Sequence, residues 1–296
     1  MAYKICIDPG HGGSDPGAVG NGFKEKDLTL KLALFLRDYL DADQNYEPVM
    51  TRSTDTNPSV NERATFGNNA KAALFLSIHF NSASGTSGTG FEVYPHVPKE
   101  SYHAESVTLA KAVVERMKDM QVMRGTNGCG IRYCYNQNGT RLFKEFTDTN
   151  PNNYNTYYGV VRQSNRPAIL IETAFINSPA DIAKFNTDEK LKAAAYRYYQ
   201  AICDYFKTSA NSGSSSSNSA GAENTTGGTL YRVQVGAFSI KSNADKLMAE
   251  LKAKGYGAFI SSTDLHRVQV GAFSVKANAD KLAADLKAKG YKNIIN

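Results

Sequence analysis

The chain has no stretch of about 18 consecutive apolar residues, which excludes a membrane-spanning helix of ordinary length. Its N-terminus lacks a basic segment followed by an apolar one and enters a strand-like run at once, so the expectation is a protein made in the cytoplasm without a secretory signal. Cysteine is scarce. Cys6, Cys129, Cys134 and Cys203 are scattered, and the one close pair, Cys129 and Cys134, has no second pair to complete a tetrathiolate metal site. They read as plain thiols of a reducing compartment, not as a disulfide framework. Hydrophobic residues are not lacking: at 296 residues, 41% hydrophobic and 21% charged, the chain can build one full-size domain and a smaller second one. Disorder of the whole chain is thereby excluded.

The formal charge of +6 is unevenly spread. Residues 1–207 hold 23 Lys+Arg against 22 Asp+Glu, 208–228 hold only Glu223, and 229–296 hold 11 basic against 5 acidic residues. The basic character thus belongs to the C-terminal end and suggests an acidic or polyhydroxylated partner there.

Organisation follows composition. Residues 208–228 are almost wholly Ser, Gly, Ala, Asn and Thr, too poor in apolar surface to order themselves, and read as a flexible tether between a domain at 1–207 and another at 229–296. Beyond it, 232–260 realign on 267–295 with an offset of 35 and identity at 22 of 29 positions. Each copy reads strand (232–238), helix (243–254), strand (257–261), and two copies pair naturally into a four-stranded sheet with both helices on one face, a ferredoxin-like α+β arrangement. Period-2 alternation turns Val233, Val235 and Ala237 toward the helices and leaves Gln234 and Phe238, with their counterparts Gln269 and Phe273, on the open face.

The N-terminal part alternates strand-like runs (3–8, 47–51, 73–79, 90–94, 168–174) with helical patterns, such as Leu28, Leu32, Phe35, Leu36, Tyr39 and Leu40. This predicts an α/β domain with a twisted, mostly parallel or mixed sheet flanked by helices, closed by a long helix over 188–207. Residues 125–155, rich in Asn, Gly, Thr and Tyr, break the rhythm and read as a long loop or small subdomain.

Hydrolytic potential concentrates in IDPGHGGSDPG (7–17), KEKD (24–27), FLSIHFN (75–81) and AILIETAF (168–175). Each puts one metal-capable or acid-base side chain at the C-terminal end of a strand or in the following loop, the edge where open α/β sheets bind ligands. Taken singly, His11 is a loop histidine, His79 a rim histidine and Glu25 an acidic residue suited to a helix N-terminus. Glu172 differs, because a carboxylate among Ile169, Leu170, Ile171 and Ala174 is costly to bury without a partner or a task. Two histidines and a carboxylate are the usual ligands of a hydrolytic zinc, and a further carboxylate supplies the base and then the acid that cleavage of a peptide-type bond requires.

Jointly and in order, IDPGHGG, the Glu25 segment, MTRSTD (50–55), NERATFGNNA (61–70), LSIHFN and ILIETAFINS (169–178) resemble the Amidase_3 family, the zinc N-acetylmuramoyl-L-alanine amidases, over about 3–206. The resemblance implies Zn2+ on His11, Glu25 and His79, Glu172 as the catalytic carboxylate, and Asp8 or Asn81 as supporting groups, Asn81 near the substrate. Residues 125–155 stand out as an insertion, and His96, His103 and His266 match no catalytic position. The C-terminal repeat is similar to a SPOR domain formed by both halves, which implies binding to peptidoglycan glycan strands at Gln234, Phe238, Gln269 and Phe273. The expected partner is peptidoglycan, with no nucleic acid and no membrane insertion, for a monomer released to the cell wall as a phage endolysin or a mother-cell autolysin. A zinc peptidase acting on the stem peptide and a non-catalytic wall-binding protein remain the alternatives.

Overall fold

The computed structural model describes residues 2–85, 88–146, 154–211, 231–254, 256, 258–262, 265–273 and 276–295. The chain forms two compact units, Met1–Ser214 and Ser215–Asn296. Among the described residues no helix is long and apolar enough to cross a membrane.

The first unit begins with β1 (Tyr3–Pro9), the short pair β2 (Val19–Gly20) and β3 (Phe23–Lys24), and α1 (Glu25–Asp41). It continues through β4 (Tyr46–Met50), α2 (Val60–Asn69), β5 (Leu74–Asn81), β6 (Glu92–Pro95) and α3 (His103–Met117). A small region follows, made of β7 (Arg132–Gln137), β8 (Thr140–Glu145), β9 (Asn155–Thr156) and α4 (Gly159–Arg162). The unit closes with β10 (Ala168–Phe175), α5 (Pro179–Ile182) and α6 (Asp188–Phe206).

The central sheet has the order β4-β1-β5-β10-β6. Its first four strands are parallel, and β6 is antiparallel to β10 at the edge. Strands covered on both faces need apolar residues at nearly every position, which is why β5 and β10 read as runs instead of alternations. The alternation persists in which face each residue covers. Ile5, Ile7, Leu74, Leu76, Ile78, Ile169 and Ile171 join α1, α3 and α6 in the larger core, whereas Cys6, Phe75, Ala168 and Leu170 pack with Val160 and Val161 of α4 on the other side. Helix α2 lies close on that second face, where a Cβ on Gly67 would come 2.7 Å from the Phe75 ring. Continuing the same parity toward the C-terminal strand ends puts Asp8, Ser77, His79 and Glu172 on the second face. The hydrogen bond from Ser77 Oγ to Asp8 Oδ2 (2.6 Å) is consistent with that placement.

Of the two readings of 125–155, long loop or small subdomain, the second holds and not the first: β7 and β8 form a hairpin around Asn138 and Gly139, both at positive φ, and β9 adds a third strand. An Asn-Gly pair between strand-forming residues is the usual two-residue hairpin turn, and NQNGT carried that signal; residues 147–153 lie outside the described ones. Nor does order stop at 207. Asn211 N donates to Tyr199 Oη (2.7 Å), its side chain donates to Ala42 O (3.3 Å), and Thr208 bonds Tyr46, because these polar groups complete buried tyrosine hydroxyls at the end of α6. The rest of the expected tether, 212–228, lies outside the described residues.

The second unit comprises β11 (Tyr231–Phe238), α7 (Lys241–Ala253), β12 (Phe259–Ser262), β13 (His266–Phe273), α8 (Lys276–Ala288) and β14 (Ile294–Ile295). The order β12-β13-β11-β14, all antiparallel, is the ferredoxin-like one, with a core of Val233, Val268, Ala244, Leu251, Ala279 and Leu286. Its repeat symmetry is visible in side chains: Tyr256 Oη donates to Asp285 (2.6 Å) and Tyr291 Oη to Glu250 (2.6 Å), residues related by the same offset of 35.

The expected facing of the repeat strands fails at a double bulge. Val233 pairs with Gly271, Gln234 with Gln269 and Gly236 with Val268, so Val235 and Val270 are each an extra residue. An extra residue reverses the alternation beyond it. Phe238 therefore packs against the core, partly buried with its ring beside Gly236, while Ala237 is exposed. Gln234 and Gln269 sit opposite one another and are buried, 8% exposed each, not displayed on an open face. The side chain of Phe273 lies outside the described ones.

Candidate active site

The loop after β1 carries His11 in the left-handed region (φ 58°), an uncommon state for a residue with a side chain and one that persists only where the surroundings impose it. Two buried arginines impose it. Arg52 donates to the carbonyls of Pro9 (2.9 Å), Gly10 (2.8 Å) and Lys26 (2.9 Å); Arg63 donates to those of Pro9 (2.6 Å) and His11 (2.8 Å) and to Asp8 Oδ1 (2.9 Å). Asp8 also accepts from Thr51 and Ser77, so it is the buried counter-charge of this brace and does not reach the metal ligands. These arginines belong to the MTRSTD and NERATF segments and explain physically why such segments accompany IDPGHGG.

Three side chains converge at the ends of β1 and β5. Glu25 opens α1 but does not cap it: its carboxylate turns inward, accepting from Ala18 N (2.9 Å) and Phe80 N (3.0 Å), with His79 Nδ1 at 2.9 Å and His11 Nε2 at 3.1 Å. The imidazoles stand edge-to-face with centroids 4.9 Å apart, and one ligand atom from each of the three residues lies within 4.8 Å of the others. His11 Nδ1 donates to Asp15 Oδ2 (2.8 Å), which orients the ring and leaves Nε2 directed at the cluster, the usual arrangement of a metal-binding histidine. The glycines are dictated by this crowding. A Cβ on Gly10 would lie 2.3 Å from the His79 ring, and one on Gly17 (φ 64°) would lie 2.6 Å from Glu25 Oε2 and 2.7 Å from His11.

The charges agree with the geometry. Burial works to raise the Glu25 pKa, but hydrogen bonds and attraction from His11 and His79 overcome it and hold the carboxyl far below its ordinary value. Burial works to lower that of His11, and Glu25 and Asp15 together raise it. Two imidazole nitrogens and a carboxylate oxygen within 4.8 Å of one another make a donor set of the kind a catalytic zinc takes.

Glu172 stands beside this cluster. It is in register with His79 on one side and with Glu92 on the other, is 8% exposed, and its Oε2 is buried without a hydrogen-bond partner among the described residues. Burial first, then repulsion from Glu25 and Glu92, pushes its pKa well above the ordinary carboxylate value, with the Arg141 cation acting the other way. Among the sequence-derived candidates, the structure therefore gathers His11, Glu25 and His79, with Glu172 adjacent. Asn81 ends β5 and spends its amide on Glu92 Oε1 (3.1 Å) and on Ser82 N (2.8 Å).

Sequence reasoning missed Glu92. It is buried and held by Arg124 (2.6 Å), Arg132 (2.9 Å) and Tyr94 Oη (2.6 Å). A lone acid in GFEVYPHV was the available signal, as it was for Glu172.

Comparison with known proteins gives the family. The family profile of the N-acetylmuramoyl-L-alanine amidases, Amidase_3, matches residues 5–204, and that of the SPOR domain matches 190–262 and 262–295. The chain is 36% identical over 268 residues to the sporulation-specific N-acetylmuramoyl-L-alanine amidase of Bacillus subtilis, covering 88% of this chain and 85% of that one. It is 28% identical to the endolysin of Bacillus phage SPP1, over 73% and 70% of the two chains. The catalytic domain of CwlV, an N-acetylmuramoyl-L-alanine amidase of Paenibacillus polymyxa, superposes with a TM-score of 0.56 and 25% identity over 70% of this chain and 99% of that one. With a profile matching most of the chain and a relative of this similarity along nearly its whole length, the protein belongs to the N-acetylmuramoyl-L-alanine amidase family and carries a SPOR domain.

Proposed function

We propose that the chain uses zinc, held by His11, Glu25 and His79, to hydrolyse the amide between the lactyl group of N-acetylmuramic acid and L-alanine in peptidoglycan, with Glu172 handling the proton. The observation that carries this reading is the meeting of three ligand side chains from three separate elements within 4.8 Å, with Glu172 in register beside His79. Bound there, zinc supplies Lewis acidity, polarising a carbonyl and making water a nucleophile near neutral pH.

The protein's own groups do the rest. Asp15 fixes the tautomer and orientation of His11, and the Ala18 and Phe80 amides fix the Glu25 carboxylate. Glu172 accepts a proton from the attacking water and returns it to the α-amine of L-alanine, which leaves poorly unless protonated. Its buried position favours the protonated carboxyl once the proton has been taken, which suits the second task. The SPOR unit is assigned to holding glycan strands, which keeps the catalytic unit at the wall.

The test is digestion of purified cell wall followed by mass spectrometry. Free L-alanine amino groups should appear, vanish after chelation and return with added zinc. New termini inside the stem peptide, or lysis indifferent to chelation, would refute the assignment.

A further inference from the structure

Across the sheet the order of groups is fixed by strand order: the metal-ligand cluster at β1 and β5, then Glu172 on β10, then β6, and then the β7–β8 hairpin beside it. The hairpin is docked by aromatic packing. Phe143 of β8 lies 5.8 Å from Tyr94 of β6, and Tyr94 lies 5.1 Å from Tyr158. Three arginines gather on this side. Arg124 and Arg132 are committed to Glu92, Arg132 also to Glu145. Arg141 is exposed, stands over the rings of Phe143 (4.8 Å) and Tyr157 (5.9 Å), and pairs with no carboxylate among the described residues. A guanidinium supported by two rings is held in place while its hydrogen-bonding edge stays available, the usual design of a carboxylate receptor.

We propose that Arg141 forms a subsite for a free carboxylate on the peptide side of the scissile bond. The inference rests on the proposed amidase chemistry. Glu172 must face the departing amine, so the peptide leads from the metal cluster past Glu172, toward the hairpin that carries Arg141. The nearest carboxylate on that path is the α-carboxylate of the residue after L-alanine when that residue is D-glutamate; amidation to D-isoglutamine removes its charge.

The test compares MurNAc-tripeptides that differ only in carrying D-glutamate or D-isoglutamine after L-alanine, using the full-length zinc-loaded protein and the variants Arg141→Gln and Arg141→Lys. The wild type should favour the D-glutamate substrate by about fivefold in kcat/KM, mainly through KM, the upper end of what an exposed charge pair gives. Arg141→Gln should bring the ratio close to one, and Arg141→Lys should restore part of it. An equal loss on both substrates, or a ratio unchanged by Arg141→Gln, overturns the subsite while leaving the amidase reading intact. Failure of the wild type to release either peptide overturns both. Zinc content and thermal melting of each variant show that a changed ratio does not come from misfolding.

Discussion

Glu25 and Glu172 are both buried carboxylates at the end of one sheet, yet their surroundings drive them in opposite directions. On the β1–β5 side, Glu25 accepts two backbone N–H groups and faces two imidazoles. On the β10–β6 side, Glu172 has one oxygen without a hydrogen-bond partner among the described residues, and acidic neighbours. The first region is over-determined, held by Arg52, Arg63, Asp15 and the small glycines, so that under the proposed function a cation would find its ligands already placed. The second is less complete, which under the same proposal would leave a carboxyl free to take and give a proton. Burial and partners alone set the two carboxylates apart.

The sharpest way to separate the two is to neutralise each in turn. Glu172→Gln should lower kcat by about 10³-fold while zinc per chain after dialysis stays unchanged. Glu25→Gln should instead weaken zinc binding by 10²-fold or more, on the order expected when a ligand or its support is lost. Elemental analysis alongside turnover decides, and loss of zinc from the Glu172 variant would erase the distinction. The next effect concerns the brace. Arg63→Ala strands the buried Asp8 charge and should cost about 3–5 kcal/mol in urea unfolding, with zinc affinity falling as the His11 loop loosens; a neutral outcome would mean the loop holds itself.

A third effect has the opposite sign. A carboxyl whose folded pKa is raised is stabilising below its unfolded value and loses that advantage as pH climbs toward the folded one. Glu172→Gln should therefore stabilise the metal-free protein increasingly above about pH 5, by up to about 1.4 kcal/mol per pH unit. Thermal melts from pH 5 to 8 check this, and a gain independent of pH would contradict it. The smallest effect lies in the repeat unit, where the symmetric Tyr256 and Tyr291 hydrogen bonds are exposed: Tyr256→Phe and Tyr291→Phe should each shift melting by about 2 °C or less, and by similar amounts.

The catalytic and repeat units also differ in how far their sequences could be read. In the catalytic unit the strands are regular as far as Asp8, His79 and Glu172, with the register of β10 shifting only beyond Glu172, so counting by twos from Cys6, Phe75 and Leu170 places these three on one face. In the repeat unit a double bulge at Val235 and Val270 reverses that count, and the strand glycines that follow, Gly236 and Gly271, were the local signal of the irregularity. The hairpin at 132–145 was legible from Asn138-Gly139 but was hidden by the polar composition around it. Asn81 and Asp8 were recognised as polar groups near the site, yet their tasks, supporting Glu92 and neutralising Arg63, depend on partners 11 and 55 residues away.

The amino-acid sequence alone determined the main strands and helices of the central sheet, the internal repeat and the four candidate side chains His11, Glu25, His79 and Glu172, because these follow from local pattern and from the narrow chemistry of His and Glu. Only the tertiary structure decided that Glu25 turns away from its own helix toward two imidazoles, that Glu172 Oε2 is buried without a hydrogen-bond partner among the described residues, and that Arg141 stands on the far side of it. Those outcomes come from strand order and packing, which bring together residues no local pattern connects.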